Sequence, residues 1–384
     1  MIRTIDVLTV QKTQYGVLYH FTRKLFEALE RAGFSCRLLE GDDMLNVCCS
    51  SPPDLTIGFN GVVFDQNKNA LCDLIQRPHL SILVDPPYRF LNLTESPFMI
   101  LGCEDQNECD FLQRMGFDQT FFLPHAVERE VELPSHQNKT YDVVFLGTCL
   151  DSEARMGSWK KAFPSDVCEV MTETVALAFS DPLTSFLTTF FRLWLDHTIG
   201  GKATHLQNSD FTRILCEIEL AIKGKERLDL ISSIREASVH VFGGHFDKRD
   251  WKTLLSEQKN VVIHPPLSYT EAIEVMKQAR IVLNTSLKNS FGAHERVFGG
   301  MAAGAVVVTS INAFLQRYYI DGKSIVYYQP RSLTELNHTI NELIKHEPAR
   351  MAIADEGRLQ TLSHHTWDHR VQTIIKELTH CLNF

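Results

Sequence analysis

Several features that mark particular protein classes are missing from this 384-residue chain. It has no block of consecutive lysines and arginines and carries a formal net charge of −9, whereas binding to nucleic acid through the phosphates needs a basic stripe. It also has no low-complexity tract and no repeat of solenoid period. Apolar residues make up 44% and charged residues 22%, which is typical of a globular protein. The composition therefore predicts a globular protein without a nucleic-acid partner.

A long uncharged apolar run is also missing. The most apolar window, Val175 to Leu195, contains Asp181, Pro182 and Arg192, so no stretch of about 18 uncharged apolar residues remains. The first apolar run of the chain is too short for an export signal and is typical of a β-strand. We therefore expect a cytoplasmic protein in which this window forms a buried or partner-facing helix.

Cysteine is present, but without the spacing of a metal site. None of the ten cysteines belongs to a C-x-x-C pair, so a structural zinc site has little support. In a chain without an export signal, free thiols are expected rather than a disulfide framework.

The length predicts two domains, at roughly 100–200 residues for each. Up to about residue 140, short apolar runs alternate with helical patterns, and a second region of this kind begins at Tyr141 and resumes at Ser238. Such alternation implies parallel sheets with helices on both faces. The predicted lobes are 1–138 and 139–384, with a polar linker at 131–139, a helical insertion at about 151–237, and a last helix at about 365–384 that packs back on the first lobe.

The segment 292–310, GAHERVFGGMAAGAVVVTS, places three charged or titratable side chains before a glycine-rich apolar run. We predict a helix from about His294, followed by a buried strand. The first turn of a helix offers unpaired N–H groups and the positive end of a dipole, which suit phosphate oxygens. Gly292 would let a ligand approach the backbone, and Arg296 would add a charged, forked donor.

The other two side chains of this segment suit a sugar. A carboxylate is unfavourable beside a phosphate, so we expect Glu295 to accept hydrogen bonds from sugar hydroxyls, and His294 to donate to the phosphate or the sugar. Together with Arg296 they suit a diphosphate flanked by sugars. The alternative is a solvated helix start, with Glu295 and Arg296 as a surface pair.

Ligands of parallel α/β sheets bind beyond the carboxyl ends of the strands. In the second lobe this rule selects Gly243, Gly244, residues 264–268 and residues 284–286. In the first lobe it selects a set that includes Asp85 and His125.

A family resemblance adds to this pattern. Residues 292–306 resemble the motif G-[SA]-H-[ED]-R-[VI]-F-x-A-M-x-x-G-A-V of bacterial GT-B glycosyltransferases, in the "glycosyl transferases group 1" and CgeB-like subfamily. The resemblance extends over about residues 238–375, and the first lobe resembles the N-terminal half of such enzymes more weakly. It implies two Rossmann-like lobes facing across a cleft. It also implies transfer of a sugar from a nucleotide sugar, held mainly by the second lobe, to an acceptor held by the first.

The resemblance also implies roles for further residues of the second lobe. The nucleobase would lie near His264, Ser268 and Tyr269, while Asn284 and Ser286 would contact donor hydroxyls.

No metal and no other cofactor is expected, because Arg296 and the helix N-terminus would stabilise the leaving diphosphate. Many retaining GT-B enzymes carry an E-x7-E pair, which is replaced here by Phe291 and Gly299. Retention or inversion at the sugar is therefore left open.

An inverting reaction needs a general base, which the first lobe should provide. Asp85, in LVDPP, is the first candidate because two prolines fix its loop at a strand end, and His20 and His125 are the alternatives. Each has a structural explanation as well: an aspartate before proline is often a turn residue, and His20 lies on a helix face where core packing is common.

The sequence says less about which acceptor is used and about whether the protein is a transferase. A surface glycan, a lipid-linked sugar or a protein all fit as acceptor, and the helical insertion is where we expect acceptor specificity, or contact with a protein partner or membrane surface. A sugar-nucleotide epimerase and a non-catalytic glycosyltransferase-like partner protein are the two alternatives to a transferase.

Overall fold

A computed structural model describes residues 2–9, 14–133, 139–200 and 208–381. The chain divides into two compact units, the first comprising the residues up to Glu130 together with those from Leu362, and the second running from Val131 to Thr361. Parts of three predicted segments lie outside the described residues: 134–138 of the linker, 201–207 of the helical insertion and 382–384 of the last helix.

The first unit contains a six-stranded sheet in which all strands are parallel. Its strand order is β2-β1-β3-β4-β5-β6. The strands are β1 (Thr4–Leu8), β2 (Ser35–Leu39), β3 (Leu55–Phe59), β4 (His79–Leu83), β5 (Met99–Cys103) and β6 (Thr120–Phe122). The helices that alternate with them are α1 (Val17–Arg31), α2 (Met44–Ser50), α3 (Leu71–Ile75) and α4 (Gln106–Arg114).

Burial explains why these segments form their elements. Every residue of β3, β4 and β5 is buried, as expected of parallel strands covered on both faces. Helix α1 buries the stripe that contains Leu18, Phe21, Leu25 and Leu29, so its apolar spacing faces the sheet. Gly33 follows with a positive φ of 90°, a conformation that glycine adopts without strain.

The second unit also contains a six-stranded parallel sheet, in the order β12-β11-β10-β7-β8-β9. The strands are β7 (Tyr141–Leu146), β8 (Val239–Phe242), β9 (Val261–His264), β10 (Ala279–Leu283), β11 (Val306–Ser310) and β12 (Val326–Tyr328). The helices, up to the end of the described chain, are α5 (Ser152–Ala162), α6 (Ser165–Ser180), α7 (Phe186–Ile199), α8 (Asn208–Ser233), α9 (Trp251–Leu254), α10 (Tyr269–Lys277), α11 (Glu295–Ala302), α12 (Thr334–Lys345), α13 (Glu347–His364) and α14 (Trp367–Cys381).

Helices α5 to α8 occupy the predicted helical insertion, but α8 is not entirely inserted. Its C-terminal half packs Leu230 and Ile231 into the same core as Val143 of β7 and Val241 of β8. This half is the crossover helix between those two neighbouring strands. The predicted range of 151–237 includes this half, because an inserted helix and a crossover helix have the same apolar periodicity.

The apolar window 175–195 covers the end of α6 and most of α7. Phe186 and Phe190 of α7 are buried, while Leu195 and Ile199 near its end are exposed. No helix among the described residues is long and apolar enough to cross a membrane.

Helix α14 belongs to the first unit, where it contacts α1. Arg31 Nε donates to Asp368 Oδ1 at 2.8 Å, and Arg370 donates to the carbonyl oxygens of Pro124 and His125. The last helix thus anchors the loop that follows β6.

Candidate functional site

Arg296 lies at the carboxyl edge of the second sheet, in the first turn of α11. It is only 8% exposed, and its Nη1 donates to Asn284 Oδ1 at 3.2 Å, one residue beyond the end of β10. The guanidinium carbon is 5.8 Å from the centre of the Phe145 ring. Burial lowers the pKa of Arg296, which shows that its charge is poorly solvated.

Asn284 is held by neighbouring hydroxyl groups. Its Nδ2 donates to Ser286 Oγ and to Thr309 Oγ1, each at 3.0 Å, and these two oxygens are 2.9 Å apart. The amide is thereby fixed with its oxygen toward Arg296. Asn284 and Ser286 thus support the arginine in this structure, and their contact with donor hydroxyls stays a prediction.

The helix start differs slightly from the predicted one, since α11 begins at Glu295 and His294 is the residue before it. His294 Nδ1 is 2.6 Å from Glu295 Oε2, and His294 Nε2 is 3.5 Å from Arg296 Nη2. His294 is also the N-cap of α11, with its Nδ1 accepting from Arg296 N at 3.3 Å, so no single neutral tautomer satisfies all three contacts. Glu295 lies against the ring of its neighbour, and Gly292 nearby is buried, with its carbonyl oxygen accepting from Asn312 Nδ2 at 2.9 Å.

A second arginine, Arg227 of α8, was not predicted. It is 8% exposed, and its Nη1 donates at 2.6 Å to the carbonyl oxygen of Thr148, in the loop after β7. Its Nε is buried without a hydrogen-bond partner among the described residues. Burial, followed by repulsion from Arg296, lowers the pKa of Arg227 to about 10. In the part of the chain that the structure describes, neither guanidinium group forms an ion pair with a carboxylate.

A signal for this residue existed in the sequence. Ile218 and Ile222 are buried positions of α8 at a spacing of four, and the next position of that stripe is Glu226. A charged residue on an otherwise apolar helix stripe indicates a buried polar site, and Arg227 directly follows this one in the chain.

The predicted glycines hold two loops together. A Cβ atom on Gly243 would lie 2.0 Å from the carbonyl oxygen of Gly147, so the loop after β8 passes too close to the loop after β7 for any side chain. The carbonyl oxygen of Gly244 accepts from Cys149 N at 2.8 Å. Both glycines therefore shape the loop that Arg227 contacts through Thr148.

The residues predicted near the nucleobase have other contacts in this structure. His264, at the end of β9, stacks on Phe242 at 4.3 Å, and its Nε2 lies 2.8 Å from His240 Nδ1. Ser268 caps α10 in a capping box with Glu271, and Tyr269 is the buried first residue of that helix. Ser268 and Tyr269 are thus explained by the start of α10, and their contact with a nucleobase stays a prediction.

In the first unit, Asp85 lies beyond the end of β4. Its Oδ2 accepts from Asn60 Nδ2 at 2.9 Å, and its side chain is 45% exposed. Asn60 Oδ1 accepts from Val84 N at 2.9 Å, so Asn60 links the ends of β3 and β4. Asn60 has a φ of 53°, in the left-handed region that asparagine adopts more readily than most other residues. Next to it is a cavity of about 240 Å³, lined by Leu8, Thr9, Met44, Gly58, Phe59, Asn60, Gly61, Val62 and Val63.

The two histidine candidates are each paired with a glutamate. His125 Nε2 is 2.5 Å from Glu104 Oε2, and both side chains are buried, with that of His125 5% exposed. His20 Nε2 contacts Glu128 and is 24% exposed. Burial alone would raise the pKa of Glu128, but the hydrogen bond and charge of His20 lower it. Each candidate for the general base thus contacts a different polar side chain: Asp85 contacts Asn60, His125 contacts Glu104, and His20 contacts Glu128.

In the chain as described, no group of three or more His, Cys, Asp or Glu side chains is arranged to hold a metal ion.

Residues 226–376 match the model of a family described as glycosyl transferase-like. The match begins at Glu226, so it includes Arg227 as well as the segment 292–310. No curated protein sequence matches the chain.

Solved structures share the fold over the whole chain. HepE of Anabaena, in complex with UDP and glucose, has a TM-score of 0.57 and 11% identity, covering 99% of this chain and 100% of that chain. The fold is GT-B. Sucrose-phosphate synthase from Thermosynechococcus elongatus has a TM-score of 0.57 and 10% identity, covering 99% of each chain. AviGT4, a glycosyltransferase involved in avilamycin A biosynthesis, has a TM-score of 0.58 and 10% identity, covering 100% of this chain and 99% of that chain.

The predicted fold class is therefore confirmed, with two α/β lobes that each contain a six-stranded parallel sheet. The family match and the shared fold support a transferase. Membership of the CgeB-like subfamily stays a prediction.

Proposed function

We propose that the protein transfers a glycosyl group from a nucleoside diphosphate sugar to an acceptor hydroxyl. The observation that carries this proposal is the pair of buried guanidinium groups of Arg227 and Arg296, which donate no hydrogen bond to a carboxylate among the described residues. Burial lowers the pKa of both arginines, although nearby carboxylates attract them. Two desolvated like charges are unfavourable unless an anion joins them. Guanidinium groups bind phosphate oxygens through paired hydrogen bonds, so a diphosphate fits this requirement.

The same groups would assist the chemical step. The bond between the anomeric carbon and the diphosphate oxygen breaks, and the acceptor oxygen forms a new bond to that carbon while its proton passes to a base. Negative charge grows on the leaving diphosphate, where Arg227, Arg296 and the N–H groups at the start of α11 would stabilise it. We therefore expect transfer without an added divalent cation.

On the acceptor side, we propose Asp85 as the base and the cavity beside Asn60 as the place where the acceptor hydroxyl approaches. His20 and His125 are the alternative bases. A glycan, a lipid-linked sugar or a protein is proposed as acceptor.

Helices α5 to α7 are the proposed place for recognition of the acceptor, of a protein partner or of a membrane surface. Leu195 and Ile199 near the end of α7 are exposed, which supports this proposal.

The test is turnover of nucleotide sugars by the purified chain, with UDP-sugars first because HepE was solved with UDP and glucose. UDP-, GDP-, CDP- and dTDP-sugars are incubated with the protein in the presence of a chelator, with and without glycan extracts and lipid-linked sugars. Release of nucleoside diphosphate that rises with one acceptor fraction supports the proposal. Conversion of the sugar to its epimer without release supports an epimerase, and binding without either reaction supports a non-catalytic protein.

A further inference from the structure

Glu226 is a buried carboxyl group that the proposed reaction does not use. It lies on α8, next to Arg227 in the chain, and is 2% exposed. Its Oε1 accepts from Ser310 Oγ at 2.7 Å and from Tyr328 Oη at 3.0 Å, and its Oε2 accepts from Leu287 N at 3.2 Å. These donors come from the ends of β11 and β12 and from the loop after β10, so one carboxyl group joins three sheet-edge segments.

Each carboxyl oxygen also faces a backbone donor. Leu287 N–H donates to Oε2, and Ser286 N–H is shared between Oε1 at 3.2 Å and Ser310 Oγ at 2.8 Å. A backbone N–H cannot turn round, whereas the hydroxyl groups of Ser310 and Tyr328 rotate. A protonated carboxyl therefore fits as well as a carboxylate, because its O–H oxygen still accepts while its proton is donated to a hydroxyl. A glutamine amide would set an N–H against one of the two backbone donors.

The contacts of Glu226 lead to both arginines. Arg227 is the next residue, and attraction by Glu226 acts to raise its pKa. Ser286, which Glu226 holds through its N–H, accepts from the Asn284 amide at 3.0 Å, and that amide accepts from Arg296. Glu226 thus helps to fix residues 284–286, and Asn284 of this segment holds the Arg296 side chain.

Two opposing effects determine the protonation of Glu226. Burial raises its pKa to about 7, against the opposing effect of hydrogen bonds from Ser310, Leu287, Tyr328 and Ser286. Two titratable groups face Glu226 directly, Arg227 on α8 and Tyr328 at the end of β12. The groups that act on these two are Arg296 on α11, Glu219 and Asp229 on α8, and Cys149 in the loop after β7. An anion held by the two arginines adds negative charge beside this carboxyl, and such a charge favours its neutral form.

We propose that Glu226 is a positioning residue of the donor site that takes up a proton when a diphosphate binds, so that it keeps its hydrogen bonds to the three segments while losing its charge. This inference rests on the proposed function, since it needs a diphosphate at Arg227 and Arg296. Anion binding raises the pKa of the carboxyl, so affinity is highest below that pKa and falls as pH rises through it.

The test is calorimetry with UDP-glucose, GDP-mannose, CDP-glucose and dTDP-glucose, continued with whichever binds most tightly. The esterified diphosphate of these compounds has a constant charge near neutral pH, so protons exchanged on binding come from the protein. Titration in two buffers of different ionisation enthalpy gives the number of protons taken up. We expect uptake of a fraction of a proton at pH about 8, little uptake at pH about 6, and affinity about three- to tenfold weaker at the higher pH, because one unit of pKa shift corresponds to tenfold.

Two variants identify the group. Glu226→Gln should bind more weakly and lose both the proton uptake and the pH dependence, whereas His294→Gln should keep the uptake, although imidazole groups titrate in the same range. Tight binding by the unmodified protein without proton uptake would overturn the inference and leave the proposed function intact, even if Glu226→Gln fails to fold. Binding of the nucleotide sugar by His294→Gln without proton uptake would also overturn it. Failure of all four compounds to bind would overturn the proposed function and, with it, this inference.

Discussion

Individual acid–base groups of the first unit differ most in how far they are open to solvent. A general base has to come within hydrogen-bond reach of the acceptor hydroxyl. His125 and Glu104 are both buried and pair with each other through His125 Nε2, so neither side chain is open to solvent. Asp85 is half exposed: its Oδ2 accepts from Asn60, and its Oδ1 lies 3.9 Å from Arg89 Nη1 at the surface. Asp85 is therefore the first choice for the base.

For Asp85→Asn we expect turnover to fall by about 10²–10⁴, because the amide cannot take the acceptor's proton. Its oxygen still accepts from Asn60, so the loop and the donor affinity should be unchanged. Initial rates and nucleotide calorimetry on the same preparation check both expectations. Asp118→Asn is the matched control, since Asp118 is an exposed carboxylate of the same unit. Full activity of Asp85→Asn would move the assignment to His20 or His125.

At the level of single residues, the sequence predicts a site whose residues are adjacent in the chain better than one whose residues are brought together by the fold. His294, Glu295 and Arg296 are adjacent in the chain and follow a loop, so the sequence alone predicts that they share one site. Glu226 and Arg227 meet the same site from a helix about 70 residues earlier, and only the tertiary fold brings them together. The pairing of His294 with Glu295, which competes with a role in sugar binding, likewise depends on side-chain geometry.

At the scale of single elements, the start of α10 tests whether Ser268 is a cap or a ligand contact. Its side chain is paired with Glu271 in a capping box. Ser268→Ala should lower the free energy of unfolding by about 1 kcal/mol and leave nucleotide affinity unchanged. Urea denaturation and calorimetry measure the two quantities. Weaker nucleotide binding at unchanged stability would instead make Ser268 a ligand contact.

The loops after β7 and β8 provide a second test. Gly243→Ala places a methyl group 2.0 Å from the backbone oxygen of Gly147, so the loops must separate. We expect a loss of about 1–3 kcal/mol in stability, as for overpacking. Nucleotide binding should also weaken, because Arg227 is anchored on the adjacent Thr148.

Gly157→Ala is the matched control for this substitution. Gly157 lies within α5 and has no atom within 4 Å of an added Cβ, so alanine should raise stability by about 0.5–1 kcal/mol. A Gly243→Ala variant that is as stable as the unmodified protein would contradict the close packing of the two loops.

Viewed as a whole, the molecule shows why its fold was predictable while its boundaries were not. Alternating apolar runs and amphipathic helices determine parallel sheets, because each strand must be covered on both faces. Strand order is a property of tertiary packing, and no local pattern distinguishes the crossover half of α8 from the helices inserted before it. The division of the chain at Glu130 and Thr361 likewise depends on packing, since α14 is placed with the first unit by its contacts.

Charge distribution is the remaining whole-molecule feature. The chain has a net charge of −9, yet two buried guanidinium groups lie at one edge of its second sheet. An anionic donor is therefore attracted by this local site and not by the molecule's overall charge. We expect a nucleoside diphosphate to bind at these two arginines.

Calorimetry of nucleoside diphosphates, in the presence of a chelator, measures whether a diphosphate binds at Arg227 and Arg296. It compares the unmodified protein with Arg227→Met, Arg296→Met and the control Arg235→Met, whose arginine is exposed just after α8. We predict metal-independent binding of one nucleotide family, weakened by about 1.5–3 kcal/mol in each of the first two variants and unchanged in the control, because a charge-assisted hydrogen bond is lost only at the buried positions. No binding by the unmodified protein, or equal binding by all four proteins, would contradict it.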